Sequence, residues 1–412
     1  MKKYYGENFF TSINGIEYPV FCIEAVPFLQ SSKASSIKYY DTICDYSDSH
    51  RAGFEGFEVT AHQNYKNQKW YPEYSRILDG RIRFPNRPGY MLDKIITDKN
   101  GRLLKVLVHI GTYAENVYST HVLEYELYRA FMEYHDKDID EPDIWQELKE
   151  SMTIRNSMHK NIGSPDESGY FERMRASLLN GSGREALLGV QMLVIIFSER
   201  SKRYEVKLIE RSKMVAIKPG IYQFIPSGGF EILNDSDDDE YDDLELKENL
   251  SPGCAVFREY LEELFNAPEF EGNGTGSIEE RLLKDSRIIT IENMLKNGKA
   301  SFHFLGSVIE LAGLRHELSF ALIIHDKNYS KTRFIANDEC KKGRVINIGI
   351  ADFNNAKSIW DNLHAPSAAM WKMFTHTRLF KKLEHSERKN TSILSFLHNA
   401  YFTVKDNFTK HR

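Results

Sequence analysis

The chain has 412 residues, of which 41% are hydrophobic and 27% charged, with a net charge of −5. That balance excludes global disorder and leaves room for roughly two to three domains of ~150 residues. A slightly acidic total gives no overall pull toward nucleic acid or an anionic membrane. Cys22, Cys44, Cys254 and Cys340 are scattered, without a C-x-x-C pair or zinc-like spacing. They suit reduced thiols, so a cytoplasmic protein without a zinc site is expected. The start is polar and has no signal-peptide core. The strongest apolar run, 189–197, is far too short to span a bilayer.

Residues 1–150 read as an N-terminal α+β domain of unknown role. Strands are expected at 18–25, 56–61 and 103–110. Gly-Thr-Tyr-Ala-Glu-Asn at 111–116 is turn-like, and could offer N–H groups to a phosphate where a helix begins. An ordinary strand–helix connection is its default reading. Val122, Leu123, Tyr125, Leu127, Tyr128, Phe131 and Met132 then recur at a helical period over 120–134. Aromatic residues are dense in this part (Tyr4, Tyr5, Phe9, Phe10, Tyr39, Tyr40, Trp70, Tyr71), near the basic residues Lys66, Lys69, Arg76, Arg81, Arg83 and Arg87. Such mixtures can stack nucleotides. No motif supports that here, so core and interface roles are the better reading.

Residues 151–184 form a helical linker, with short helices expected at 141–153 and 171–179. Asn180-Gly-Ser-Gly-Arg184 is a breaker cluster that marks the boundary. The texture then turns to strands at 190–197, 204–210 and 221–225. Pro226-Ser-Gly-Gly229 follows, then an acidic stretch at 235–248, a helix at 251–265, and strands at 301–311 and 318–324 joined by a polar turn around Arg315. The acidic stretch lacks the glycine and terminal glutamate of an EF-hand, so a solvated insertion is expected. These elements define a domain at 185–352. Helices at 353–363 and 367–383 build a C-terminal helical extension, 353–412.

The 251–265 helix carries the chemistry. Ser251 is a natural N-cap and Pro252 sits at N1, where its missing N–H costs nothing. Val256, Phe257, Tyr260, Leu261 and Leu264 share one side, while Glu259, Glu262 and Glu263 stand at i, i+3 and i+4 on the other. At ~6 Å each carboxylate pair repels by between ~0.7 kcal/mol in water and ~3 kcal/mol at a protein-surface dielectric. An Arg–Glu pair from Arg258 returns only ~0.3–0.5 kcal/mol. A hard divalent cation would reverse the sign of that interaction.

Arg-Glu-Tyr-Leu-Glu-Glu at 258–263 resembles the centre of the Nudix box, Arg-Glu-bulky-x-Glu-Glu, and Ile225-Pro-Ser-Gly-Gly-Phe-Glu231 resembles its glycine-bearing start. The resemblance spans about 187–350. It implies an α/β (α+β) fold with a Nudix-type mixed β-sheet sandwiched by helices. It also implies a Mg²⁺ (or Mn²⁺) cofactor held by Glu259, Glu262 and Glu263, with Glu259 a ligand or base and Arg258 orienting a carboxylate. Gly228 and Gly229 would lie close beneath metal and phosphates, with Glu231 in reach. Glu317, beside His316 between the late strands, is a candidate auxiliary base.

Three departures stand out. Asp235 occupies the place of a glutamate. Between it and Arg258 lie 22 residues where the family has seven. Phe265 and Asn266 replace the glycine and apolar residue after the Glu pair, so the helix exit must differ, because Phe does not readily adopt positive φ. Two functions follow from the resemblance. One is a divalent-metal-dependent hydrolase, a pyrophosphatase cleaving the diphosphate bond of a nucleoside diphosphate derivative. The other is a non-catalytic sensor of a nucleotide or nucleotide-sugar, with the N-terminal domain acting in regulation. In either case the partner is a nucleotide-type small molecule, with nucleic acid and membrane not indicated and a homodimer left open.

Overall fold

A computed structural model describes residues 1–27, 34–40, 56–59, 87–160, 162–181, 183–212, 220–232, 250–268, 278–337, 340 and 344–386. The acidic stretch 235–248 and the basic and aromatic residues from Lys66 to Arg83 lie outside them.

Thirteen strands are described. In chain order they are β1 (Thr11–Ile13), β2 (Ile16–Tyr18), β3 (Val20–Glu24), β4 (Gly56–Val59), β5 (Pro88–Thr97), β6 (Leu103–Thr112), β7 (Gly189–Ser198), β8 (Arg203–Glu210), β9 (Tyr222–Phe224), β10 (Ser227–Gly229), β11 (Ala300–Glu310), β12 (Arg315–Ile324) and β13 (Ile346–Gly349). Eight of them form one mixed sheet in the order β13-β8-β7-β12-β11-β3, with β9 beside β8 and β10 beside β7. β7 and β12 run parallel, and the other pairings are antiparallel.

The strand β7 explains the architecture. Val190 to Ile196 is an almost unbroken apolar run, which suits a strand covered on both faces. Val190, Met192, Val194 and Ile196 face one core, and Leu193 and Ile195 face the other. Seven helices matter to the layout: α1 (Val122–Tyr134), α2 (Pro142–Ser151), α3 (Tyr170–Leu178), α4 (Pro252–Phe265), α5 (Ile278–Lys284), α6 (Ser286–Lys296) and α7 (Ala365–Thr375). The first face carries α4 and α6. The second carries α7, whose Ala368, Ala369, Met370, Trp371, Met373 and Phe374 are buried against it. The expected α/β class, a mixed sheet between helices, is what the structure shows.

The N-terminal residues are woven into this body. β3 pairs antiparallel with β11 at the edge of the large sheet. Tyr40 packs on Phe302 and donates its hydroxyl to the Phe302 carbonyl at 2.9 Å. A second sheet, β4-β6-β5, meets the large one beside β10. There the Tyr90 N–H donates to Phe230 O (3.1 Å), and the Leu188 N–H donates back to Tyr90 O (2.9 Å).

Two local readings change. The segment 111–116 is no simple turn. Thr112 forms a capping box with Glu115 and opens a helix at Tyr113, which continues through a π-helical turn at Val117–His121 into α1. Arg315 lies in β12 rather than in the turn before it, where Leu314 takes the positive φ of 52°. No helix among the described residues is long and apolar enough to cross a membrane.

Candidate functional site

The helix α4 begins as its sequence demands, with the Ser251 hydroxyl accepting from the Cys254 N–H at 3.0 Å and Pro252 in the first turn. Phe257, Tyr260, Leu261 and Leu264 are fully buried. The exit departs from the glycine pattern in a simple way. Phe265 stays helical, and Asn266 one position later takes the left-handed conformation, φ 47° and ψ 40°. Asn tolerates that region better than other residues with a Cβ. Phe265 then packs edge-on to Tyr260 and against Phe334.

Opposite the buried face, Arg258 is the hub. Although only 6% exposed, it donates through Nη2 to Glu259 Oε1 (2.7 Å) and to Gly229 O (3.0 Å), and through Nη1 to Glu231 O (3.4 Å). Its Nε stands 4.0 Å from Glu262 Oε1. Burial alone would lower this guanidinium. The facing Glu259 and Glu262 carboxylates outweigh it and hold it raised, hence charged. One residue therefore ties the helix to the glycine strand and orients the first carboxylate.

The glycine strand is held in turn by Glu263, whose Oε2 accepts from the Ser227 N–H at 2.8 Å. β10 is laid on β7 with Gly228 opposite Val190 and Gly229 opposite Gly189. A Cβ on Gly228 would fall 2.2 Å from Cδ of Glu259 and 2.4 Å from both its oxygens. The absence of a side chain at 228 is what lets that carboxylate lie over the strand. Glu231, just beyond, has Oε2 3.5 Å from Arg87 Nη1. Burial pushes its carboxyl above the usual range, against the pull of Arg258 and then Arg87.

The sequence reading did not assign Arg87 or Tyr113 to this site. The Tyr113 N–H donates to Arg87 O at 2.8 Å, and the Ile232 N–H donates to Pro88 O at 2.8 Å. Burial, and then the nearby Glu231 charge, pushes the Tyr113 phenol up, so it stays protonated. The signals were present as an arginine among N-terminal aromatics and as the segment 111–116. Nothing local in either points to α4, which begins 139 residues after Tyr113 and 165 after Arg87.

Glu317 is not brought to the carboxylate face. Its register neighbours are Gly189 on β7 and Val308 on β11. Alternation along the strands puts it on the side of Leu193, Ala321 and α7, opposite α4. Among the described residues no three His, Cys, Asp or Glu side chains form a group placed to hold one ion. The donor chemistry still fits a hard cation. Glu259 and Glu262 are oxygen ligands one turn apart whose side chains keep 12% and 15% exposure, over a strand that leaves them room.

No protein-family model matches the chain, and no curated protein matches it. Among solved structures it is similar to a NUDIX hydrolase from Alicyclobacillus acidocaldarius, with 15% identity over 47% of this chain and 92% of that one and a TM-score of 0.28. It is also similar to a MutT/nudix family protein from Enterococcus faecalis (17% identity, TM-score 0.22), covering 40% of this chain and spanning 44% of that one. A third is the NUDIX domain of Shewanella oneidensis NrtR, complexed with ADP ribose, at 15% identity, 41% and 77% coverage and a TM-score of 0.21. These likenesses are partial and divergent, so the reading of the site rests on its own residues.

Proposed function

We propose that this chain is a divalent-metal-dependent, Nudix-type hydrolase that cleaves the diphosphate bond of a nucleoside diphosphate derivative. The observation that carries the reading is the carboxylate of Glu259 lying over Gly228 and gripped by the buried Arg258. A merely solvated acidic helix face has no use for a buried arginine that binds both the carboxylate and the strand beneath it.

In this reading Glu259 and Glu262 would hold Mg²⁺ or Mn²⁺, while Glu263 fixes the glycine strand through the Ser227 N–H. A cation held there would supply charge to neutralise diphosphate oxygens and would lower the pKa of a bound water. The remaining work falls to the chain itself. Arg258 keeps Glu259 and the Gly229 and Glu231 carbonyls in one frame. Arg87 supplies positive charge at the same corner. Glu231, whose carboxyl is raised by burial against the pull of Arg258, is the candidate proton acceptor at this corner. Glu317 has no part in it.

A second reading, a sensor that binds a nucleotide without turnover, is favoured by the absence of a ready three-ligand group among the described residues. The two separate on one experiment. The protein is incubated with Mg²⁺ or Mn²⁺ and a panel of ADP-ribose, NAD, dinucleoside polyphosphates and nucleoside triphosphates, beside Glu262→Gln. Hydrolysis that falls by about 10²-fold or more in the variant supports the enzyme. Tight binding without hydrolysis in both forms supports the sensor, and indifference to every nucleotide overturns both.

A further inference from the structure

We infer that a cavity of about 430 Å³ lined by Arg184 is a binding site for a small phosphate-type dianion, either inorganic phosphate or a phosphate monoester. Lys160, Arg173, Ser177, Asn180 and Arg184 line it, between α3 and the segments on either side of that helix. No residue of α4 lines it, so the inference stands apart from the hydrolase reading.

The argument starts from Arg184. Its side chain is 2% exposed. Its Nη1 donates to the Asn180 carbonyl (3.0 Å) and its Nη2 lies 3.3 Å from His316 Nε2. Its Nε has no hydrogen-bond partner, and among the described residues no carboxylate pairs with it. The His316 ring is neutral, because burial and then Arg184 hold its pKa well below the usual histidine value. A buried guanidinium met only by a carbonyl and a neutral ring keeps its full positive charge unbalanced. Such a charge is costly unless an anion completes it. Burial, with the nearby Arg155 adding to it, lowers the Arg184 pKa to about 10, so the group is still charged at neutral pH.

The rest of the lining has the same character. Lys160 is exposed at the rim and forms no ion pair among the described residues. Arg173 is engaged at each nitrogen, its Nε on the Ile162 carbonyl at 2.8 Å, its Nη1 on the Ser168 carbonyl at 2.9 Å and its Nη2 3.6 Å from Glu167. The Ser177 hydroxyl is held at 2.8 Å by His159 Nδ1 and donates to the Met158 carbonyl at 3.3 Å. The His159 ring is pushed down to about 3, by burial first and then by Arg155 and Arg184. Lys160 and Arg184, neither paired with a carboxylate among the described residues, give the opening an excess of positive charge that matches an oxyanion.

The test titrates the full chain with inorganic phosphate, ribose 5-phosphate and malonate by calorimetry. Ionic strength is held constant and EDTA keeps divalent ions off the carboxylate helix. Phosphate or the monoester should bind with a Kd of about 1 mM or tighter. Lys160→Glu, at an exposed position, should weaken it at least tenfold, and Arg184→Met should abolish it with the circular dichroism spectrum unchanged. If Arg184→Met fails to fold, Lys160→Glu decides alone. Binding of ribose 5-phosphate tighter than phosphate assigns the site to a monoester, and the reverse order assigns it to the free ion. No binding by the wild type, equal binding by Lys160→Glu, or a preference for malonate over both phosphates overturns the inference.

Discussion

At the scale of single residues, Gly228 is the point where sequence and site meet. The clash it avoids is with the far end of a flexible glutamate, so an alanine there is expected to move the carboxylate rather than unfold the strand. Gly228→Ala should leave the melting temperature nearly unchanged. It should lower turnover about 10²-fold, because a displacement near 1 Å at a reacting centre has that cost. Mn²⁺ affinity, read by electron paramagnetic resonance, should fall with it. Wild-type turnover and Mn²⁺ affinity together in this variant would mean that Glu259 does not act from the observed position. Glu259, Glu262 and Glu263 were legible as a set because i, i+3, i+4 spacing needs only a helix. Their separate duties were not. Glu263 binds the Ser227 backbone and Arg258 ties Glu259 to the Gly229 carbonyl, and both strand contacts were fixed by where β10 was laid.

At the scale of elements, α4 shows how a departure from a motif is absorbed. The glycine missing at 265 is replaced by a left-handed Asn266, one residue further on. Asn266→Ala is expected to destabilise the protein by ~1 kcal/mol, the cost of a left-handed backbone for a residue with an ordinary Cβ, and Asn266→Gly to be near neutral. Urea midpoints of the two variants check this, and equal midpoints would show that the exit relaxes into another conformation. The strand β7 was readable from its apolar run, and α4 from its cap and period. By contrast β5 was missed, and so were α5 and α6. The Pro88–Thr97 segment mixes Pro, Gly, Asp and Lys with apolar residues, and its pairing with β6 contains register shifts, so no clean alternation announces it.

At the scale of the molecule, the junction of the two sheets is locked by a buried histidine. His109 on β6 lies 2.5 Å from Asp93 Oδ1 through Nδ1 and 2.6 Å from Glu185 Oε2 through Nε2, and its side chain is 1% exposed. Burial would lower its pKa, but the two carboxylates prevail and raise it from 6.5 to about 9. A raised histidine stabilises the fold in full below pH 6.5, and that contribution is lost as pH climbs through about 9. The loss should be on the order of 3 kcal/mol. Denaturant unfolding of the wild type from pH 6 to 9.5 should show this decline, with His109→Gln less stable at pH 6 and flatter above it. A wild-type profile as flat as the variant's would refute the clamp.

The sequence by itself determined the fold class, the α4 helix with its carboxylate face, and the glycine pair before it. Each depends on periodicity, capping or backbone freedom within about a turn or a strand. Only the tertiary structure decided which side chains meet. It set β3 against β11, brought Arg87 and Tyr113 to Glu231, put Glu317 on the opposite face, and left Arg184 buried without a counter-charge. Those outcomes depend on strand order and register between distant segments, and a one-residue shift in register would reverse the face that each side chain occupies.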